Sequence, residues 1–225
     1  MTSTLSQGAR AVLDKYLKLP LPGVEISCPY YNNDRQRVRM GLRAQIGKGS
    51  PEEIADEALL YSLREKFDIA KMSGDEKKAF LVDHNLGIDC SGLCYHILNA
   101  ELKQKGLGNL GSRLDYPYAS GLLVSLGRYI RQRYAENTDV KTLAHAANSQ
   151  PIPFENVRAG DFFVRVVKAQ NERDHVMLVT KTDGQTIYCA QSEARPSDGR
   201  LGHGVREDAA PDLSSFEARR LNCLA

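Results

Sequence analysis

Three runs in the last third of the chain, DFFVRVV, HVMLVTK and QTIYCAQ, constrain the fold more than any other feature. Each is short and rich in β-branched and aromatic residues, and Thr182-Asp183-Gly184 between the second and third is a hairpin signal. Antiparallel strands are therefore expected late in the chain, and GHGVREDAAPDLSSFEARRLNCL is expected to add one or two more. Upstream, apolar residues recur at helical spacing instead. In SPEEIADEALLYSLREKF, Ser50 is placed to cap, Pro51 opens the helix and acids fill its first turn. Ile54, Ala58, Leu59 and Leu63 are expected on one face of it. SGLCYHILNAELKQKG carries Leu93, Ile97, Leu98 and Leu102 at the same spacing and stops at Gly106. Another helix is expected near residues 121–134, and a short helical piece in ENTDVKTLAHAAN. Helices first and antiparallel strands afterwards predict an α+β architecture.

The 225 residues suffice for one generous domain, and 42% hydrophobic with 26% charged residues fit a soluble globular protein. A formal charge of +2 gives no nucleic-acid footprint, and the basic run LGRYIRQRY reads as a solvated helix face. No apolar run is long enough to span a bilayer, and the amino-terminal segment lacks the pattern of a signal peptide. A cytoplasmic location is expected, with release or export by another route as the alternative. Five cysteines without a framework spacing read as reduced thiols. Cys90, Cys94 and His96 have no familiar zinc spacing, so neither a metal site nor a cofactor is expected. The oligomeric state is not legible.

The chemistry concentrates in GIDCSGLCYHIL. A lone cysteine at a helix start is ordinarily a core residue. Here Asp89 or Ser91 can cap, Gly92 leaves room, and free N–H groups of the first turn favour a thiolate or a developing oxyanion at Cys90. Cys94, one turn inside, is expected to be buried and inert. Of the five histidines His175 is the best-mounted base, since it opens an apolar strand. Pairing the hairpin about Asp183-Gly184 sets Cys189 to Gln191 opposite Val176 to Asp174. Gln191 is the preferred group to orient the imidazole, with Cys189 as the alternative. Tyr30 and Tyr31, in an aromatic and polar loop, are candidate ligand-facing residues.

With those residues in view, Asp89-Cys90-Ser91-Gly92 resembles the nucleophile motif of the NlpC-type cysteine peptidases, papain-like amidases of bacterial cell walls. FENVRAGDFFV is similar to the turn and strand before that family's base, and HVMLVTKTDGQTIYCAQS to its His-bearing hairpin. The likeness spans roughly residues 83–192. It implies a papain-like fold, with a helical segment over 1–75 and an NlpC-like catalytic domain over 76–225 forming one unit. The implied reaction is hydrolysis of an amide in peptidoglycan stem peptides, of the γ-D-glutamyl-diamino acid type, through an acyl-thioester. Asp89 and Ser91 would help bind the free amine of a stem peptide. The alternative is an acyltransferase or a catalytically inactive binding module on the same scaffold.

Overall fold

The computed structural model describes residues 2–33, 42–117, 133–167, 172–194 and 204–225. Among them local chemistry sets the helix boundaries. Helix α1 (Gln7–Leu17) starts at Ser6, whose hydroxyl accepts from the Ala9 N–H. Helices α2 (Pro51–Arg64) and α3 (Gly74–Asp83) both open with full capping boxes, Ser50 with Glu53 and Ser73 with Glu76. Helix α4 (Cys90–Gln104) is capped by Asp89, and Gly106 beyond its end takes φ +71°, a conformation a Cβ would disfavour. The short α5 (Val140–Leu143) follows the Asp139 cap.

Helix α4 is the axis of the packing. Leu93, Ile97, Leu98 and Leu102 are all wholly buried, with α1 along one side and the sheet along the other. Helix α1 turns Ala9, Leu13 and Tyr16 inward. Helix α2 departs from the sequence expectation: Ile54 and Ala58 are buried with Ala55 and Ser62, but Leu63 is 73% exposed. The buried face of α2 runs through Ile54, Ala55, Ala58 and Ser62 instead.

Among the described residues seven strands form one sheet: β1 (Thr2–Thr4), β2 (Ser149–Pro151), β3 (Phe162–Val167), β4 (Glu172–Asp183), β5 (Ile187–Glu193), β6 (Gly204–Ala209) and β7 (Phe216–Leu221). The order is β2-β7-β3-β4-β5-β6, with β1 paired to the far end of β4, and every pairing is antiparallel. The architecture is thus α+β; β1 joins the sheet through β4, and Leu5 and α1 share the main core with residues from the rest of the chain. Phe162, Val164, Val176, Leu178 and Ala190 face that core. Phe163, Met177, Val179, Cys189 and Ala218 form a second, smaller cluster on the other face.

The β4–β5 hairpin corrects the expected register. Leu178 pairs with Ala190 and Val179 with Cys189, and an irregularity between Val179 and Lys181 absorbs the difference. The observed partner of Cys189 is therefore Val179, three positions from the Val176 expected. The helix expected near residues 121–134 lies almost wholly outside the described residues. No described helix is long and apolar enough to cross a membrane.

Candidate active site

The start of α4 is held by a small extended platform. Ile88 bridges Tyr30 on one side and Lys48 on the other. The Asp89 N–H donates to Gly47 O at 2.9 Å, and Ser192 of β5 donates its hydroxyl to Ile88 O at 2.8 Å. Gly92 is required here, because a Cβ would sit 2.7 Å from Gly47 O and 2.8 Å from the Ile88 side chain. The helix start is therefore fixed against both the platform and the sheet, and Cys90 with it.

Cys90 lines a cleft of about 500 Å³ together with Tyr30, Asn32, Asp89, Ser91 and Asp139. Tyr30 reaches this cleft; Tyr31 is not part of its lining and its N–H instead donates to Ile88 O. Cys90 is 8% exposed, and burial governs its thiol. Burial pushes it up to about 12 and the Asp89 carboxylate adds to the rise, while the backbone N–H groups of Val176 and Ser91 and the Lys48 ammonium pull the other way. A helix start was expected to lower this thiol; desolvation beside a carboxylate outweighs it. At neutral pH the sulfur is protonated.

His175 and Gln191 are brought together as the sequence suggested. The imidazole Nε2 lies 3.1 Å from the Gln191 Oε1, and both residues are buried. Since that oxygen only accepts, Nε2 carries the proton and Nδ1 is the basic nitrogen of the neutral ring. Burial pulls His175 down from its ordinary value, partly offset by Gln191, so the ring is a neutral base at pH 7. Gln191 makes this contact diagonally across the hairpin, whereas Cys189 packs in the second cluster.

Cys90 and His175 meet β4 at consecutive residues. The thiol faces the Val176 N–H, one residue from the histidine. His175 pairs with Arg165 on the face that carries Phe163 and Met177, while Val176 points into the core that holds Cys90. No hydrogen bond joins the thiol to the imidazole among the described residues. Cys94, by contrast, is wholly buried and burial drives its thiol far up.

The residue that sequence reasoning missed is Lys48. It is 7% exposed, and its ammonium contacts Asp89 Oδ2 at 2.8 Å, Ser91 Oγ at 2.6 Å and Thr138 O at 2.8 Å. Its only signal was a lysine between two glycines, Gly47 and Gly49, just ahead of a helix cap. Among the described residues, no group of three or more His, Cys, Asp or Glu is placed to hold a metal ion.

No protein-family model, no curated protein and no solved structure matches this chain. The functional reading therefore rests on the residues themselves.

Proposed function

We propose that the protein is a papain-like thiol amidase in which Cys90 is the nucleophile, His175 the base and Gln191 the group that orients the base. The observation that carries the reading is a cleft-facing cysteine at a helix N-terminus packed against strand β4, the strand that also carries the His175–Gln191 pair. In this mechanism the His175 ring, which rests on the sheet face opposite the thiol, turns toward Cys90, and its Nδ1 takes the thiol proton as the sulfur attacks the amide carbonyl. The oxyanion is held by backbone N–H groups at the start of α4. Collapse expels the amine, which takes the proton from His175 and leaves an acyl-thioester. Water, deprotonated by the same nitrogen, then releases the acid and the free thiol. A ground state with neutral thiol and neutral imidazole makes this general-base catalysis rather than attack by a preformed ion pair. By resemblance, the substrate is a peptide or peptidoglycan fragment of the γ-D-glutamyl-diamino acid type.

One observation favours a second reading. The thiol lies high and has no hydrogen bond to His175, as a binding module retaining a cysteine without catalysis would allow. Alkylation of the cysteines as a function of pH, resolved by mass spectrometry, separates the two. The amidase reading expects Cys90 to react faster than Cys28, Cys94 and Cys189 near neutral pH, and expects His175→Ala to remove that advantage. Equal rates for Cys90 and the buried cysteines would hand the site to the binding module.

A further inference from the structure

Helix α4 begins on a charged cap, and that charge works against the sulfur next to it. Asp89 Oδ1 accepts from the Gly92 N–H and from the Ser91 hydroxyl, which satisfies the helix start. An asparagine would cap as well without bringing a full negative charge to the neighbour of Cys90. A carboxylate there offsets the partial positive charge of the helix N-terminus and disfavours a thiolate. The direction of the thiol agrees, since Asp89 pushes it up and Lys48 pulls it down.

Lys48 meets this charge from inside the fold. Its side chain is 9% exposed and that of Asp89 15%. The ammonium lies 3.0 Å from Asp89 Oδ1 and 2.8 Å from Oδ2, and it also reaches Ser91 Oγ and Thr138 O. The backbone around it is pinned as well. Lys48 bridges Ile88, its carbonyl accepts from His96 Nε2 at 2.9 Å, and the Tyr16 hydroxyl donates to Gly49 O at 2.7 Å. A buried ion pair adds little stability over a neutral pair of the same shape. What this pair supplies beyond a neutral one is a cation fixed against the anion that borders the thiol.

The other charged groups of the cleft have different partners. Glu136 accepts from Arg43 and Arg133 through Oε1, while its Oε2 is buried without a partner. Arg165 of β3 forks onto Asp174 of β4, Asp139 caps α5 through the Thr142 N–H, and Lys141 adds a cation to the lining. His175 rests on the opposite sheet face. Among the described residues, Lys48 is the cation that reaches Asp89.

We propose that Lys48 is a positioning residue for the Cys90 nucleophile: it neutralises the Asp89 cap and fixes the first turn of α4 around it, so that negative charge can build on the sulfur during attack. The inference rests on the thiol-amidase reading and deepens it.

The test is alkylation by iodoacetamide, a small uncharged reagent, read residue by residue by mass spectrometry at pH 7.5 with Cys223 as the reference. In each event the Cys90 sulfur bonds to the reagent's methylene carbon, iodide leaves and the thiol proton passes to the buffer. Lys48→Met leaves the carboxylate uncompensated and should slow Cys90 by about three- to tenfold, the loss of thiolate being partly offset by its greater nucleophilicity. Lys48→Arg should keep the wild-type rate, and adding Asp89→Asn to Lys48→Met should restore it. The sign separates charge from structure, because a merely loosened helix start would expose the sulfur and speed its labelling, together with that of Cys94. An unchanged or faster Cys90 in folded Lys48→Met overturns the proposal, as does a double variant that stays slow. Should Lys48→Met not fold, Asp89→Asn alone is compared with the double variant. Its unopposed ammonium should make Cys90 react about three- to tenfold faster, and equal rates count against the proposal. A wild-type Cys90 no faster than Cys28, Cys94 and Cys189 defeats the amidase reading and this inference with it. A fast wild-type Cys90 that is indifferent to Lys48 defeats only this inference.

Discussion

At the residue scale the site sets two kinds of cysteine side by side. Cys90 faces a cleft and Cys94 faces only the core. Cys90→Ala is expected to abolish turnover and leave the fold intact. Cys94→Ala is expected to keep the chemistry and cost about 1–2 kcal/mol, because it leaves a void in a packed interior. Activity assays with urea denaturation of both variants check the pair, and equal activity in Cys90→Ala would remove the nucleophile. His175 carries the pH dependence. Its folded-state value is lowered by burial, against about 6.5 in the unfolded chain. The unfolded chain therefore takes up the proton first as pH falls. The stability that the neutral ring contributes is complete above about 6.5 and is lost as pH falls through the folded value. His96, also lowered by burial, acts in the same direction. Melting temperature followed from pH 8 downward should drop below about 6.5, and His175→Gln should flatten that drop. The acid limb of activity should likewise lie below about 6.5; a limb above it would contradict a buried neutral base.

At the element scale, much of this protein was readable before folding. Ser50, Pro51 and Glu53 announce α2 because capping is satisfied within four residues. The same holds for the Asp89 cap that begins α4 at Cys90. What failed was rotation and register. Leu63 fits the helical spacing but faces outward, and the β4–β5 hairpin slips at Val179 and Lys181. Both outcomes depend on what packs opposite, which local spacing does not contain. Gly92 provides the test at this scale. Alanine is the better helix former by up to about 1 kcal/mol, yet its Cβ would press on Gly47 O and Ile88. The clash involves backbone and should win, so Gly92→Ala is expected to destabilise by about 1–3 kcal/mol and to lower activity by moving Cys90. A stabilised, fully active variant would show that the platform yields.

At the scale of the whole molecule, the last strand is threaded between strands formed much earlier. Strand β7 lies between β2 and β3, and two of its arginines secure it. Arg219 donates to the Ser149 hydroxyl, and Arg220 makes a forked pair with Asp161, which is 2% exposed. Asp161 also accepts from the Arg158 N–H, so it closes the turn into β3 and anchors β7 at once. Asp161→Asn keeps an acceptor for the turn and removes the charge facing Arg220. A loss of about 3 kcal/mol in urea unfolding is expected, since one partner of a buried pair is left uncompensated. A loss below about 1 kcal/mol, the range of an exposed pair, would mean that water replaces the carboxylate.

The sequence by itself determined the α+β class, the caps that start α2 and α4, the position of Cys90 at a helix N-terminus, and the hairpin that brings His175 near Gln191, but not strand β1 ahead of the helices. Those features rest on contacts among residues close in the chain or on simple periodicity. Only the tertiary structure decided that Tyr30 rather than Tyr31 lines the cleft, that the Cys90 thiol rises instead of falling, and that Lys48 fills the space between Asp89, Ser91 and Thr138. The reason is common to all three. Burial and charge pairing act through space, between residues about forty to ninety positions apart in the case of Lys48, and their strength depends on water excluded by the whole fold.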